Sequence, residues 1–132
     1  DDVLTRLIDQ GDRAPTELCT VSVWPMDGSV QDVPAGSTAF PWRTHDYMLS
    51  VEANWEGPDA TAHVEWARET DAAFRELGAE GAYAGFPGLS DTDEDVARLV
   101  YGDNYERIAD LKSEYDPTNL FTETSNVPPA GG

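Results

Sequence analysis

The chain has 132 residues, 26 of them acidic and 8 basic, for a formal net charge of −18 at pH 7. That length suits one domain burying roughly two thirds of its unfolded surface, and four Trp, five Tyr and four Phe exclude a disordered acidic chain. The charge also excludes nucleic acid and anionic membrane surfaces as partners, because both would repel it.

Residues 1–10, DDVLTRLIDQ, read as a short helix with Val3, Leu4, Leu7 and Ile8 on one side, ended by Gly11 and Pro15. TELCTVSVW (16–24) alternates, placing Cys19, Val21 and Val23 on one face and Leu18, Thr20, Ser22 and Trp24 on the other, which predicts a strand. PMDG (25–28) is turn chemistry. SVQDVPAGSTAFPWR (29–43) is expected to hold a short strand and an extended loop, since Pro34 and Pro41 exclude a helix. DYMLSVEANW (46–55) is the clearest strand. Tyr47, Leu49, Val51, Ala53 and Trp55 form an expected buried face, and Met48, Ser50, Glu52 and Asn54 a polar one.

In GPDATAHVEWARETDAAFRELG (57–78), Pro58 and Asp59 suit a helix start and Gly78 its end. Trp66, Thr70, Ala73, Phe74 and Leu77 make one stripe. AEGAYAGFPG (79–88) is a strand or loop with two aromatics, and LSDTDEDVARLVYG (89–102) a short helix closed by Gly102. In YGDNYERIADLKSEYDPTNLF (101–121), Asp103 and Glu106 have capping-box spacing, and Ile108, Leu111 and Tyr115 form an apolar stripe. Pro117 stops the helix, after which Leu120 and Phe121 are expected to pack the tail down. The whole predicts an α+β fold: an antiparallel sheet with helices packed on one face.

The acids are spread along the chain, and Lys112 is the only lysine. Such a coat resembles the proteins of salt-adapted archaea, where high salt screens self-repulsion. Cys19 stands alone in a strand pattern and reads as core, so no intrachain disulfide is expected. His45 and His63 lack metal-ligand spacing, and no metal is expected. No apolar run approaches a membrane span and no signal peptide is legible, which implies a cytoplasmic protein. The start without Met suggests a fragment.

The run at 101–121, followed by NVPP (126–129), resembles the C-terminal signature of the berberine bridge enzyme-like family of FAD-linked oxidases. AFPWR (39–43) resembles that family's FPHR, and YAGF (83–86) its YVNF or YLNY. The strand ending at Trp55 and the helix containing VEWAR (64–68) follow in the matching order. The resemblance implies the end of a substrate domain (residues 1–102), then a C-terminal helix and tail (103–132) that docks toward an N-terminal FAD domain of the same protein. That domain, absent here, would bind most of the FAD, and a small-molecule substrate would complete the site.

By the same resemblance Tyr83 is the candidate catalytic residue, a phenol that can orient a substrate hydroxyl, or act as base if a neighbour lowers its pKa. Phe86 stands where some relatives carry a Tyr base, so it is expected to line the substrate. Gly85 stands where the family usually has Asn. On the polar face of the second strand, Glu52 could be a base if desolvated, with Ser50 beside it toward substrate. Trp42 replaces a family His, while the retained Arg43 could contact an anionic flavin group or serve a structural salt bridge. Asn126 keeps the tail's last Asn. Thr124 and Ser125 replace its Asn-Gln with hydroxyls, so Ser125 and Asn126 are candidate flavin contacts. The implied reaction is oxidation of an alcohol, sugar or similar molecule by hydride transfer to flavin. The rival is a stand-alone, non-catalytic α+β module of the same descent that binds a ligand or dimerises through its sheet.

Overall fold

The computed structural model describes residues 2–86, 93–122 and 125–131. It is an α+β structure whose described elements are two strands, four α-helices and three short 3₁₀ turns. The chain folds as two compact units, Asp1–Asp27 with Asp46–Ala79, and Gly28–His45 with Glu80–Gly132.

In the first unit, helix α1 (Asp2–Asp12) lies against strand β1 (Thr20–Pro25) and helix α2 (Thr61–Arg75), which lies against strand β2 (Tyr47–Glu52). The strands are antiparallel, with Val21 opposite Val51, Val23 opposite Leu49 and Ser22 opposite Ser50. Directly opposed residues share a face, so the alternation read from sequence is in register. The burial is not as expected, however. Tyr47 and Trp55 are exposed, and the one buried strand residue is Ser50 on the polar face. The strand ends at Glu52, so the period-2 rule stops short of Trp55.

Helix α2 buries the expected Trp66, Thr70, Ala73 and Phe74, while Leu77 beyond its end is exposed. Each large apolar side chain so buried contributes ~1.5–3 kcal/mol. Asp59 Oδ1 accepts the Thr61 N–H at 2.9 Å, and hydrogen bonds from the Thr61 backbone and hydroxyl hold its carboxyl below the usual range. At the other end Gly78, at φ +93°, lets Ala79 N–H reach back to Phe74 O at 3.0 Å.

Helix α1 uses its polar side. Gln10 is 2% exposed. Its carbonyl accepts the Trp66 indole N–H at 2.9 Å, and its Oε1 accepts the Thr70 hydroxyl at 3.1 Å. Val3, Leu4 and Ile8, from the stripe seen in sequence, are exposed.

In the second unit, helices α3 (Asp93–Tyr101) and α4 (Tyr105–Tyr115) pack around Ala97, Tyr105, Ala109 and Val127. Residues 89–92, the expected start of the α3 helix, lie outside the described set. The 29–43 segment holds two 3₁₀ turns, Gly28–Val30 and Ala35–Ser37, and no strand. Side chains take its carbonyls: Asn104 Nδ2 donates to Ala35 O and Thr38 O, Arg107 to Gly36 O and Arg43 to Val30 O.

Two further expectations fail here. Asp103 and Glu106 form no capping box. A 3₁₀ turn (Gly102–Asn104) leads into α4 with no side-chain cap, and Glu106 lies 3.6 Å from Arg98. Leu120 and Phe121 do not pack the tail, being 75% and 74% exposed. Their backbone N–H groups donate to the Asp116 carboxylate at 2.8 and 3.0 Å, and Lys112 Nζ donates to Phe121 O at 2.6 Å. Buried Val127 and the Ala130 N–H, which donates to Ser113 Oγ at 2.7 Å, anchor the tail instead.

Candidate active site

The predicted residues fall in both units. Ser50 and Glu52 belong to the first; Tyr83, Phe86, Arg43, Ser125 and Asn126 belong to the second.

On β2, Ser50 Oγ donates to Glu52 Oε1 at 3.0 Å. Residues i and i+2 of a strand share a face, so the two form a local pair. Ser50 is buried and Glu52 exposed, so this unit alone does not supply the desolvation that would make Glu52 a base.

In the second unit the aromatic residues gather. The Phe40 and Tyr83 rings meet edge to face with centroids 6.0 Å apart, and Tyr83 and Phe86 are 5.7 Å apart and tilted. Tyr83 is 45% and Phe86 61% exposed, so both present ring surface outward. A Cβ added at Gly85 would meet Tyr83 Cε1 at 2.8 Å. The Tyr83 ring thus lies over the bare backbone of residue 85.

Arg43 is committed within its own loop. Its Nη1 donates to Val30 O at 3.2 Å and its Nη2 to Thr38 Oγ1 at 2.9 Å, while the guanidinium lies over the Phe40 ring. No carboxylate is among these partners. Trp42, next to it, shares its indole N–H between the Leu99 and Val100 carbonyls, each at 3.1 Å. Those carbonyls end α3 and need donors.

The tail candidates divide. Ser125 is buried in the left-handed region at φ +52°, and its buried Oγ has no hydrogen-bond partner. Asn126 is half-buried. Thr124 lies outside the described residues. As a flavin-contacting set these residues fit in part: Asn126 is half-exposed, whereas the Arg43 Nη donors are taken by Val30 O and Thr38 Oγ1 and the Ser125 hydroxyl is buried.

Sequence reasoning missed Phe40, the edge partner of Tyr83, and the glycines around Trp42. Contacts across some forty residues leave no local period to read. Among the described residues, no helix is long and apolar enough to cross a membrane.

Residues 82–128 match the family model for berberine and berberine-like proteins. The chain is 28% identical over 107 residues to an uncharacterized FAD-linked oxidoreductase, YvdP, of Bacillus subtilis, covering 78% of this chain and 23% of that protein. It is 34% identical over 110 residues to (R)-6-hydroxynicotine oxidase of Paenarthrobacter nicotinovorans (77% and 24%), and 25% identical over 130 residues to berberine bridge enzyme-like 9 of Arabidopsis thaliana (85% and 24%). The chain spans about a quarter of the length of the curated relatives it matches. The similarity supports a segment of an FAD-linked oxidoreductase family.

Proposed function

We propose that this chain is the C-terminal segment of an FAD-dependent oxidoreductase that oxidises an alcohol, sugar or similar small molecule. The observation that carries the reading is the similarity of most of the chain to about a quarter of several FAD-linked oxidoreductases. In this reading an N-terminal domain of the same protein holds most of the FAD. When bound, the flavin would supply the hydride acceptor.

This chain's own residues then have separate tasks. The Tyr83 phenol hydrogen-bonds and so orients the substrate hydroxyl, and in its phenolate form accepts that hydroxyl's proton. Phe86 lines the substrate, with Phe40 behind Tyr83, and the rings exclude water from that side. Glu52 with Ser50 is a second proton acceptor once a covering surface desolvates it. Asn126 offers its amide toward the flavin. Ser125 supports the tail turn that carries Asn126, and Arg43 acts through its loop. Residues 1–102 serve as part of the substrate domain, and 103–132 dock toward the FAD domain. Leu111, Tyr115, Leu120 and Phe121, 42–77% exposed, are the surface such docking would cover.

The test is anaerobic bleaching of the flavin absorbance of the full-length protein by a panel of alcohols and sugars. Tyr83→Phe should slow bleaching by the active compound by about 10²-fold or more. Unchanged bleaching would remove Tyr83 from the chemistry.

One observation favours the non-catalytic module. Val23 and Tyr47, on one face near one end of the two-stranded sheet, are 44% and 64% exposed, a surface for a second copy. A colourless dimer broken by Tyr47→Glu would support that reading.

A further inference from the structure

We infer that Trp42 is a positioning residue for Tyr83. This rests on the reading of Tyr83 as the phenol that meets substrate, and it assigns Trp42 a role through that phenol.

The indole lies in a slot between two glycines of positive φ. A Cβ on Gly81 would overlap the indole ring, and one on Gly102 would stand 3.1 Å from its Cζ2. The ring face therefore fixes the backbone two residues before Tyr83. Its N–H bonds Leu99 O and Val100 O, and Leu99 O also accepts the Ala82 N–H at 3.0 Å. One carbonyl at the end of α3 thus holds both Trp42 and the residue preceding Tyr83. From the other side, Phe40, two residues before Trp42, sets its ring against Tyr83. His45 meets the indole edge to face at 5.5 Å, closing the slot. The segment 40–45 thus meets the Tyr83 ring through Phe40 and the backbone two residues before Tyr83 through Trp42. A smaller ring at 42 would leave the two glycines unfilled and take from Val100 O the indole donor, while Leu99 O keeps the Ala82 N–H.

The experiment is nitration of the full-length protein by tetranitromethane, read tyrosine by tyrosine, in wild type and Trp42→Phe. Tyr47 and Tyr115, both well exposed, and buried Tyr105 serve as internal references. Loss of the indole N–H should free the Tyr83 ring and raise its nitration rate toward that of the more exposed Tyr47, with the reference tyrosines unchanged. A Tyr83 rate unchanged in folded Trp42→Phe overturns the inference. Should Trp42→Phe expose Tyr105 as well, Gly102→Ala, which crowds the same ring without removing a bond, decides by the same Tyr83-specific criterion. The readout needs no flavin, so failure of the oxidoreductase reading shows separately as a missing flavin spectrum.

Discussion

The Tyr83 ring occupies the space where a side chain at Gly85 would begin, with Cε1 2.8 Å from an ideal Cβ there. The two positions are therefore coupled: the phenol keeps its place only while residue 85 has no side chain. Gly85→Asn should displace the ring at a small cost, about 1 kcal/mol, since Tyr83 is half exposed and can swing outward. Thermal unfolding of Gly85→Asn, alone and with Tyr83→Ala, measures this. The penalty should vanish in the double variant, and a penalty that persists would place the strain elsewhere.

Gly81 and Gly57 separate packing from backbone strain. Both have positive φ, +71° and +85°, but only a Cβ at Gly81 meets a neighbour, the Trp42 ring. Gly57→Ala should cost about 1–2 kcal/mol for the left-handed backbone alone. Gly81→Ala should cost about 2–5 kcal/mol, the same term plus overpacking. Denaturant midpoints of the two variants decide, and equal losses would contradict the slot.

Asp116 should titrate far below an ordinary carboxylate. Its side-chain hydrogen bond with Lys112, then the backbone N–H groups of Phe121 and Leu120, lower it to about 2. A folded pKa below the unfolded one stabilises above the unfolded value and is lost as pH falls through the folded one. The 116–121 turn should therefore hold above about pH 4 and loosen toward pH 2. Carbon NMR of the Asp116 carboxyl tests this. A midpoint near the usual value of 3.8 would show that the hydrogen bonds from Lys112, Phe121 and Leu120 do not hold in solution.

The acidic coat should make stability depend on salt. Screening lengths shrink from about 30 Å at 0.01 M to about 3 Å at 1 M, so the self-repulsion of −18 charges is relieved as salt rises. The melting temperature should climb with KCl, and a flat response would remove the halophilic reading.

Much of the fold was legible because it is local. The alternation that puts Val21 and Val23 on one face of β1 and Leu49 and Val51 on one face of β2, the Trp66–Phe74 stripe, and the helix ended before Pro117 all follow from short periods and turn residues. Periodicity tells which side is apolar but not which side meets a partner. Hence α1 buries Gln10 and exposes Ile8, and α4 buries Tyr105 and Ala109 while Tyr115 faces outward. Tyr83 and Phe86 were legible through the resemblance of YAGF. Their supports, Phe40 and the glycine slot of Trp42, arise from contacts between distant segments and had no pattern to betray them.

The most direct measurement is the size and visible spectrum of the native gene product, isolated from its own cells in high salt. The flavoenzyme account predicts a yellow protein several times larger than 14.4 kDa. A colourless native protein of 14.4 kDa would contradict it and leave the binding module as the working description.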